Sequence, residues 1–306
     1  MTSMLKLYPS LGNSDLSPTR IAYGCWRLAG SEGGPRVAPE DGRRAVRAAL
    51  ECGINFFDHA DIYGRGECER IFGDALREMP GERERILIAT KCGICPPWDG
   101  RQHSYNSSHA HITASVENSL RRLGVEFVDL LMIHRPDYLG DPEEIARAFS
   151  QLRTEGKVRW FGVSNFKPSQ VAALQSALDF PLIANQVEIS LGALSCFDDG
   201  TLDQCLSSKM TPLAWSPLAK GRLAGAPQTE QDARLFAALD TIAARHGVSR
   251  AAIAIAWLLK HPSRMIPIIG TLNPGRIAEA VAADGIELSR DEWYELLIAA
   301  RGRPIP

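Results

Sequence analysis

The chain alternates between short runs of consecutive apolar residues and longer segments in which apolar positions recur every three or four residues. The short runs are "RIAYGCW" (20–26), "INFFDHA" (54–60), "RILIATK" (85–91), "VDLLMIH" (128–134), "VRWFGVSN" (158–165), "IANQVEI" (183–189), "PLAWSPL" (212–218) and "MIPIIG" (265–270). Several are apolar on successive positions, as expected of strands whose two sheet faces are both covered. Between them the helical period predicts helices over "PEDGRRAVRAALECG", "ECERIFGDALREM", "HITASVENSLRRLG", "DPEEIARAFSQLRTEG", "KPSQVAALQSAL", "DARLFAALDTIAARHG", "SRAAIAIAWLLKHP" and "NPGRIAEAVAAD". Helix starts carry capping chemistry: Asp141 precedes Pro142 and Glu143, and Asn273 precedes Pro274. A short polar side chain there accepts from orphan amides, and proline suits the first helical position. Gly53, Gly124, Gly156 and Gly247 stand where helices should end, since a left-handed cap suits glycine.

Eight strands with intervening helices, and no boundary rich in Pro, Gly or Ser, predict one closed (β/α)8 TIM barrel over residues 1–306. Residues 1–17 are a lead-in, and 286–306 a C-terminal helix and short tail. The structural alternative is a doubly wound sheet with a small second domain. No glycine-rich dinucleotide fingerprint follows the first strand, "YGRGECE" lacks the third glycine, and no P-loop pattern occurs. The barrel is therefore preferred.

Composition narrows the partner. The 306 residues are 45% hydrophobic with a net charge of −2, and Lys and Arg are scattered. Neither a nucleic-acid groove nor a membrane-surface patch fits that balance, which leaves a small molecule. The opening "MTSMLKLYPSLGNSDLSP" has no secretory pattern, and no run reaches the roughly 18 apolar residues a spanning helix needs. Seven widely spread cysteines fit reduced thiols in a cytoplasm better than a disulfide framework. A monomer or weak oligomer is expected.

Barrels of this kind do their chemistry at the carboxyl ends of the strands. There the second strand ends in Asp58, with Tyr63 a short loop later; the third ends in Lys91 and the fourth in His134. Adjacent strands lie about 4.8 Å apart, so the three strand ends predict a contiguous polar arc over which Tyr63 swings back. An ordinary buried ion pair would explain Asp58 and Lys91 alone, but not three consecutive strand ends. "FFDHADIYG", "ATKCG" and "LLMIHRPD", in this order, resemble the aldo-keto reductase family, and the resemblance runs from about residue 18 to about 285. The whole chain resembles a bacterial oxidoreductase subgroup of unsettled substrate. The family's tetrad falls on Asp58, Tyr63, Lys91 and His134.

The chemistry accounts for those residue types. Carbonyl reduction needs a hydride at carbon and a proton at oxygen. Free tyrosine has a pKa near ~10, and a neighbouring ammonium is expected to lower it towards working pH. Asp58 would hold Lys91 charged, and neutral His134 would orient the carbonyl oxygen.

The resemblance also implies nicotinamide-nucleotide contacts. Ser164, Asn165 and Gln186 would bind the carboxamide, Trp215 would stack on the ring, and Ser216, Leu218 and Gly221 would line the pyrophosphate path. Gly270, Thr271, Asn273, Arg276 and Glu279 follow the last strand, where a helix N-terminus favours an anion. Arg276, assisted by Thr271, resembles the family's 2′-phosphate partner, so NADP (NADPH) is preferred with NAD possible. Three positions depart from common family usage: Gly270 stands where lysine is frequent, Ala280 follows Glu279 where asparagine is frequent, and Trp215 replaces tyrosine.

Other signals are secondary. Cys92 and Cys95 form a CxxC beside Lys91, read as structural thiols rather than a redox pair. His59 and Asp61 with Asp58 raise a metal site, but the sixth strand offers amides and the eighth no acid, so no metal is expected. Asp61 is read as support for the Tyr63 loop. Trp26 and Trp98 are the pocket candidates, with His103 and Tyr105 as further aromatics of a lid. The short tail predicts an open pocket. The overall expectation is an NADP-dependent reductase of aldehydes or ketones. A cofactor-binding regulatory partner of the same fold and a metal-dependent barrel hydrolase are the alternatives.

Overall fold

The structure, a computed structural model, describes residues 5–30, 35–100 and 102–305. The strands are β1 (Ala22–Gly24), β2 (Phe56–Asp58), β3 (Leu87–Cys92), β4 (Ile94–Cys95), β5 (Ser104–Tyr105), β6 (Val128–Ile133), β7 (Val158–Ser164), β8 (Ala184–Glu188), β9 (Thr211–Trp215) and β10 (Ile266–Ile269). Eight of them close a parallel barrel in the order β1-β2-β3-β6-β7-β8-β9-β10, while β4 and β5 pair as a separate antiparallel hairpin. The helices are α1 (Pro39–Glu51), α2 (Glu67–Arg77), α3 (His109–Leu123), α4 (Pro142–Thr154), α5 (Pro168–Ser176), α6 (Thr201–Ser207), α7 (Glu230–His246), α8 (Arg250–Leu259), α9 (Pro274–Ala282) and α10 (Arg290–Arg301). The expected caps form: Asp141 accepts from the Glu143 amide and Asn273 from the Arg276 amide.

Two layers of core follow from strand alternation. Inward residues such as Phe56, Ala89, Leu130, Met132 and Leu213 meet Tyr8, Leu11 and Leu16 from the lead-in. Outward residues such as Phe57, Ile88, Leu131 and Phe161 pack under the helices. The lead-in is thus a plug in the mouth of the barrel at the strands' amino ends. The Gly12 amide donates to Thr211 Oγ1 at 2.7 Å, and Trp160 Nε1 donates to Asp15 at 2.7 Å. Burying each such apolar side chain is worth ~1.5–3 kcal/mol.

Three details differ from the sequence expectation. The first strand is only Ala22–Gly24, because Cys25–Arg27 winds into a 3-10 turn. Gly24 permits close packing there, since a Cβ would meet Ile268 Cγ2 at 2.8 Å. The β4–β5 hairpin and the short α6 were not predicted. The C-terminal helix α10 is pinned to α8 by a reciprocal pair: each of the Trp257 and Trp293 indole N–H groups donates to the other's carbonyl at 3.0 Å. Their rings stack with centroids 5.0 Å apart. No single helix among the described residues is long and apolar enough to cross a membrane.

Candidate active site

Lys91 sits one residue before the end of β3 and Asp58 at the end of β2, both pointing into the barrel. Lys91 Nζ donates to Asp58 Oδ1 at 2.8 Å, to Asp58 Oδ2 at 2.9 Å and to the His59 carbonyl at 2.6 Å. Gln186 Nε2 completes the carboxylate at 2.7 Å. Every ammonium proton has an acceptor, the condition under which a buried charge is tolerable. Burial works to lower the Lys91 pKa, but Asp58 and Tyr63 outweigh it and raise it. The side chain stays charged although it is fully buried.

Tyr63 opens a 3-10 turn that runs to Gly66, with Gly64 and Arg65 in left-handed conformation. The turn brings the phenol back over the arc. Lys91 Nζ lies 5.0 Å from its ring centroid, and the His134 ring stands edge-on to it at 5.9 Å. Burial pushes the Tyr63 phenol up to about 12, and the Lys91 ammonium offsets only part of that. The lowering expected from the sequence does not occur, because desolvating a phenolate here costs more than one shared ammonium returns. His134 follows β6, its amide held by the Cys92 carbonyl at 2.8 Å. Burial, then Lys91 and Arg135, hold its imidazole well below the usual range, so it is neutral.

The other two polar residues of "DHAD" leave this arc. His59 points towards the helices and packs on Phe72 with centroids 4.5 Å apart. Burial and Lys91 push its pKa down to about 3, and both ring nitrogens lack a hydrogen-bond partner among the described residues. Asp61 Oδ1 is likewise unpartnered, and its amide donates to the Lys91 carbonyl at 3.0 Å. Burial, then the charge of Glu69, push the Asp61 carboxyl up to about 7. Glu69 accepts from Thr90 Oγ1 and from Arg122 Nε, both at 2.7 Å. Asp58 and His59 face opposite sides of β2, and no three His, Cys, Asp or Glu side chains among the described residues gather as a metal site. Burial drives the Cys92 thiol well above its ordinary value, leaving it a weak nucleophile.

Above the arc lies a cavity of about 1320 Å³. Asp58, Tyr63 and His134 line it, while Lys91 lies behind Asp58. All twelve residues expected to contact a nucleotide line it too. Ser164 Oγ donates to the Gln186 carbonyl at 3.0 Å, Asn165 Nδ2 to Ser164 Oγ at 2.8 Å and Trp215 Nε1 to Asn165 Oδ1 at 3.1 Å. Asn165, Ser216 and Lys220 hold positive φ of 59°, 52° and 59°. Such strain gathers where a ligand is gripped. Trp26 lines the cavity at its mouth. Trp98 does not: it lies under the Arg65 guanidinium, 4.8 Å from the ring centroid. The His103 and Tyr105 rings contact each other at 5.4 Å on the hairpin side.

Four cationic lining residues were not anticipated: Arg27, Arg135, Lys220 and Arg250. Arg135 had a signal, adjacency to His134 in "IHRPD". Arg250 is brought in only by tertiary packing, where it pairs with Asp240 and donates to the Gly225 carbonyl at 2.9 Å.

The family model for the Aldo/keto reductase family matches residues 20–299. A protein named 6-dehydroglucose reductase from Novosphingobium aromaticivorans is 44% identical over 305 residues, covering 98% of this chain and 97% of that protein. Oxidoreductase YdhF of Escherichia coli is 40% identical over 294 residues, covering 94% and 95%. Among solved structures, the glycerol dehydrogenase AKR11B4 from Gluconobacter oxydans superposes with a TM-score of 0.84 at 28% identity, covering 100% of this chain and 98% of its own.

Proposed function

The chain belongs to the aldo/keto reductase family, and from that premise we propose that it reduces aldehyde or ketone carbonyls to alcohols, reversibly, with NADPH as the preferred reductant and NADH possible. The observation that carries this reading is the buried Lys91–Asp58 pair beneath a protonated Tyr63, with neutral His134 facing the same space.

The cavity fits a dinucleotide. Its lining combines an amide-and-hydroxyl cluster at Ser164, Asn165 and Gln186 with an indole at Trp215. At its far end it reaches the N-terminus of α9 and the cations Lys220, Arg250 and Arg276. Arg276 makes no ion pair among the described residues, which leaves its planar fork for a phosphate. When bound, the nicotinamide supplies a hydride to the carbonyl carbon. Tyr63 gives its proton to the carbonyl oxygen as charge develops there, and Lys91 stabilises the phenolate left behind. Asp58 fixes Lys91, and His134 orients the oxygen. A phenol at about 12 is fully protonated at neutral pH, the state a donor requires. Buried thiols such as Cys25, Cys196 and Cys205 suit a reducing cytoplasm.

The test is a thermal-shift comparison of NADPH with NADH, followed by a carbonyl panel with the preferred one. Tighter binding appears as larger stabilisation. The N. aromaticivorans relative is named for a dehydrogenated glucose, so sugar-derived aldehydes head the panel. No turnover of any carbonyl despite tight NADPH binding would overturn the proposal and favour a cofactor-binding regulatory role.

A further inference from the structure

A second cavity of about 380 Å³ shares three wall residues with the first: Arg135, Asn165 and Trp215. Asn165 and Trp215 are the wall assigned above to the nicotinamide, and Arg135 follows His134 in the chain. The second cavity therefore adjoins the place where the nicotinamide and the reacting carbonyl would meet, a placement that rests on the proposed function. The rest of its wall is charged with both signs. Lys167 joins Arg135 as a cation, and Glu188 and Asp199 are the acids.

Arg135 and Glu188 are half-buried, and neither forms an ion pair among the described residues. Arg135 lies against the face of Trp215, with its guanidinium 5.9 Å from the ring centroid. Opposite charges thus share a cavity without closing on each other. What enters must satisfy both a multi-donor guanidinium and an acceptor-only carboxylate. An alkyl tail would desolvate both charges and return nothing. An anionic tail would satisfy Arg135 but meet Glu188 and Asp199. A neutral hydroxylated tail accepts from Arg135 and donates to Glu188 at once.

We infer that this second cavity is the subsite for the hydroxylated tail of the substrate, with Arg135 and Glu188 as its specificity-determining residues. The substrate class is a neutral polyhydroxylated aldehyde. The two residues bind the tail and take no part in the transfer of hydride or proton.

The experiment measures kcat/KM for D-glyceraldehyde and for propanal, with succinic semialdehyde as the anionic probe, in the wild type, Arg135→Met and Glu188→Gln. Circular dichroism and NADPH binding confirm that each variant is folded. The expected result is that the ratio of glyceraldehyde to propanal efficiency falls on the order of 10- to 100-fold in each variant, mainly through KM. An unchanged ratio, with both substrates losing equally or neither losing, overturns the subsite. So does a wild type that prefers succinic semialdehyde and improves on it in Glu188→Gln. A wild type that turns over none of the three, nor any other carbonyl, overturns the reductase assignment as well.

Discussion

Thr90 and Lys91 are neighbours in β3, yet strand alternation sends one towards α2 and α3 and the other into the barrel. Each reaches a buried carboxylate, and the two clusters are built very differently. Inside, Asp58 is met by Lys91 and Gln186, and nothing in the pair is left without a partner. Outside, Glu69 and Asp61 share one cation among the described residues, Arg122, and Asp61 keeps an oxygen without a hydrogen-bond partner there. The inner cluster holds two charges that chemistry can draw upon. The outer one holds an acid near neutrality that the fold keeps dry. Burial alone therefore does not separate the two clusters; the completeness of their partners and the space they face do.

The largest effect that would test this contrast is at Lys91. Lys91→Met leaves Asp58 buried without its cation, which should cost ~3–5 kcal/mol of stability. It should also lower kcat/KM on the order of 10²- to 10⁴-fold. Denaturation and steady-state kinetics check both, and near-normal turnover would break the comparison.

Arg122→Met is the mirror experiment on the outer cluster. It strands Glu69, so stability should fall on the order of 3 kcal/mol while turnover per folded molecule is retained. Denaturation paired with active-site titration checks this, and selective loss of turnover would move the outer cluster into the chemistry.

Asp61→Asn comes next. The carboxyl sits at about 7 in the fold, against its ordinary 3.8, so between those values the unfolded chain ionises while the folded one keeps its proton. Its contribution is fully present below the lower value and is lost as pH rises through the upper one. The wild type should lose up to about 1.4 kcal/mol per pH unit in that window relative to Asp61→Asn. Thermal unfolding against pH would show the two curves converging at acid pH; parallel curves would contradict the account.

The smallest effect lies at the rim. Arg276→Ala should weaken NADPH about tenfold, near 1.4 kcal/mol, and leave NADH nearly unchanged. Fluorescence titration with both nucleotides checks it.

The barrel and the polar arc at its rim were legible because strand ends are marked by abrupt polar residues after apolar runs. Asp58, Lys91 and His134 each end such a run. What was not legible depended on packing. The plug of Tyr8, Leu11 and Leu16 has no periodicity to announce it, and β4, β5 and α6 are too short to carry any. The direction of the Tyr63 shift could not be read either. The sequence shows that an ammonium is near, but not how deeply the phenol is buried, and the burial is what decides it. Asp61 was read as support for the tyrosine turn; its amide donates to the Lys91 carbonyl, a backbone bond that does not depend on the carboxyl. Its link to Glu69 and Arg122 spans two helices, which no local spacing reveals.

The central claim is that Tyr63 delivers the proton in carbonyl reduction. Its most direct test is Tyr63→Phe, assayed for NADPH oxidation with an aldehyde the wild type reduces, beside NADPH affinity measured by fluorescence. The account predicts a rate loss on the order of 10²- to 10⁴-fold with affinity unchanged. A variant that reduces the aldehyde at the wild-type rate would contradict it.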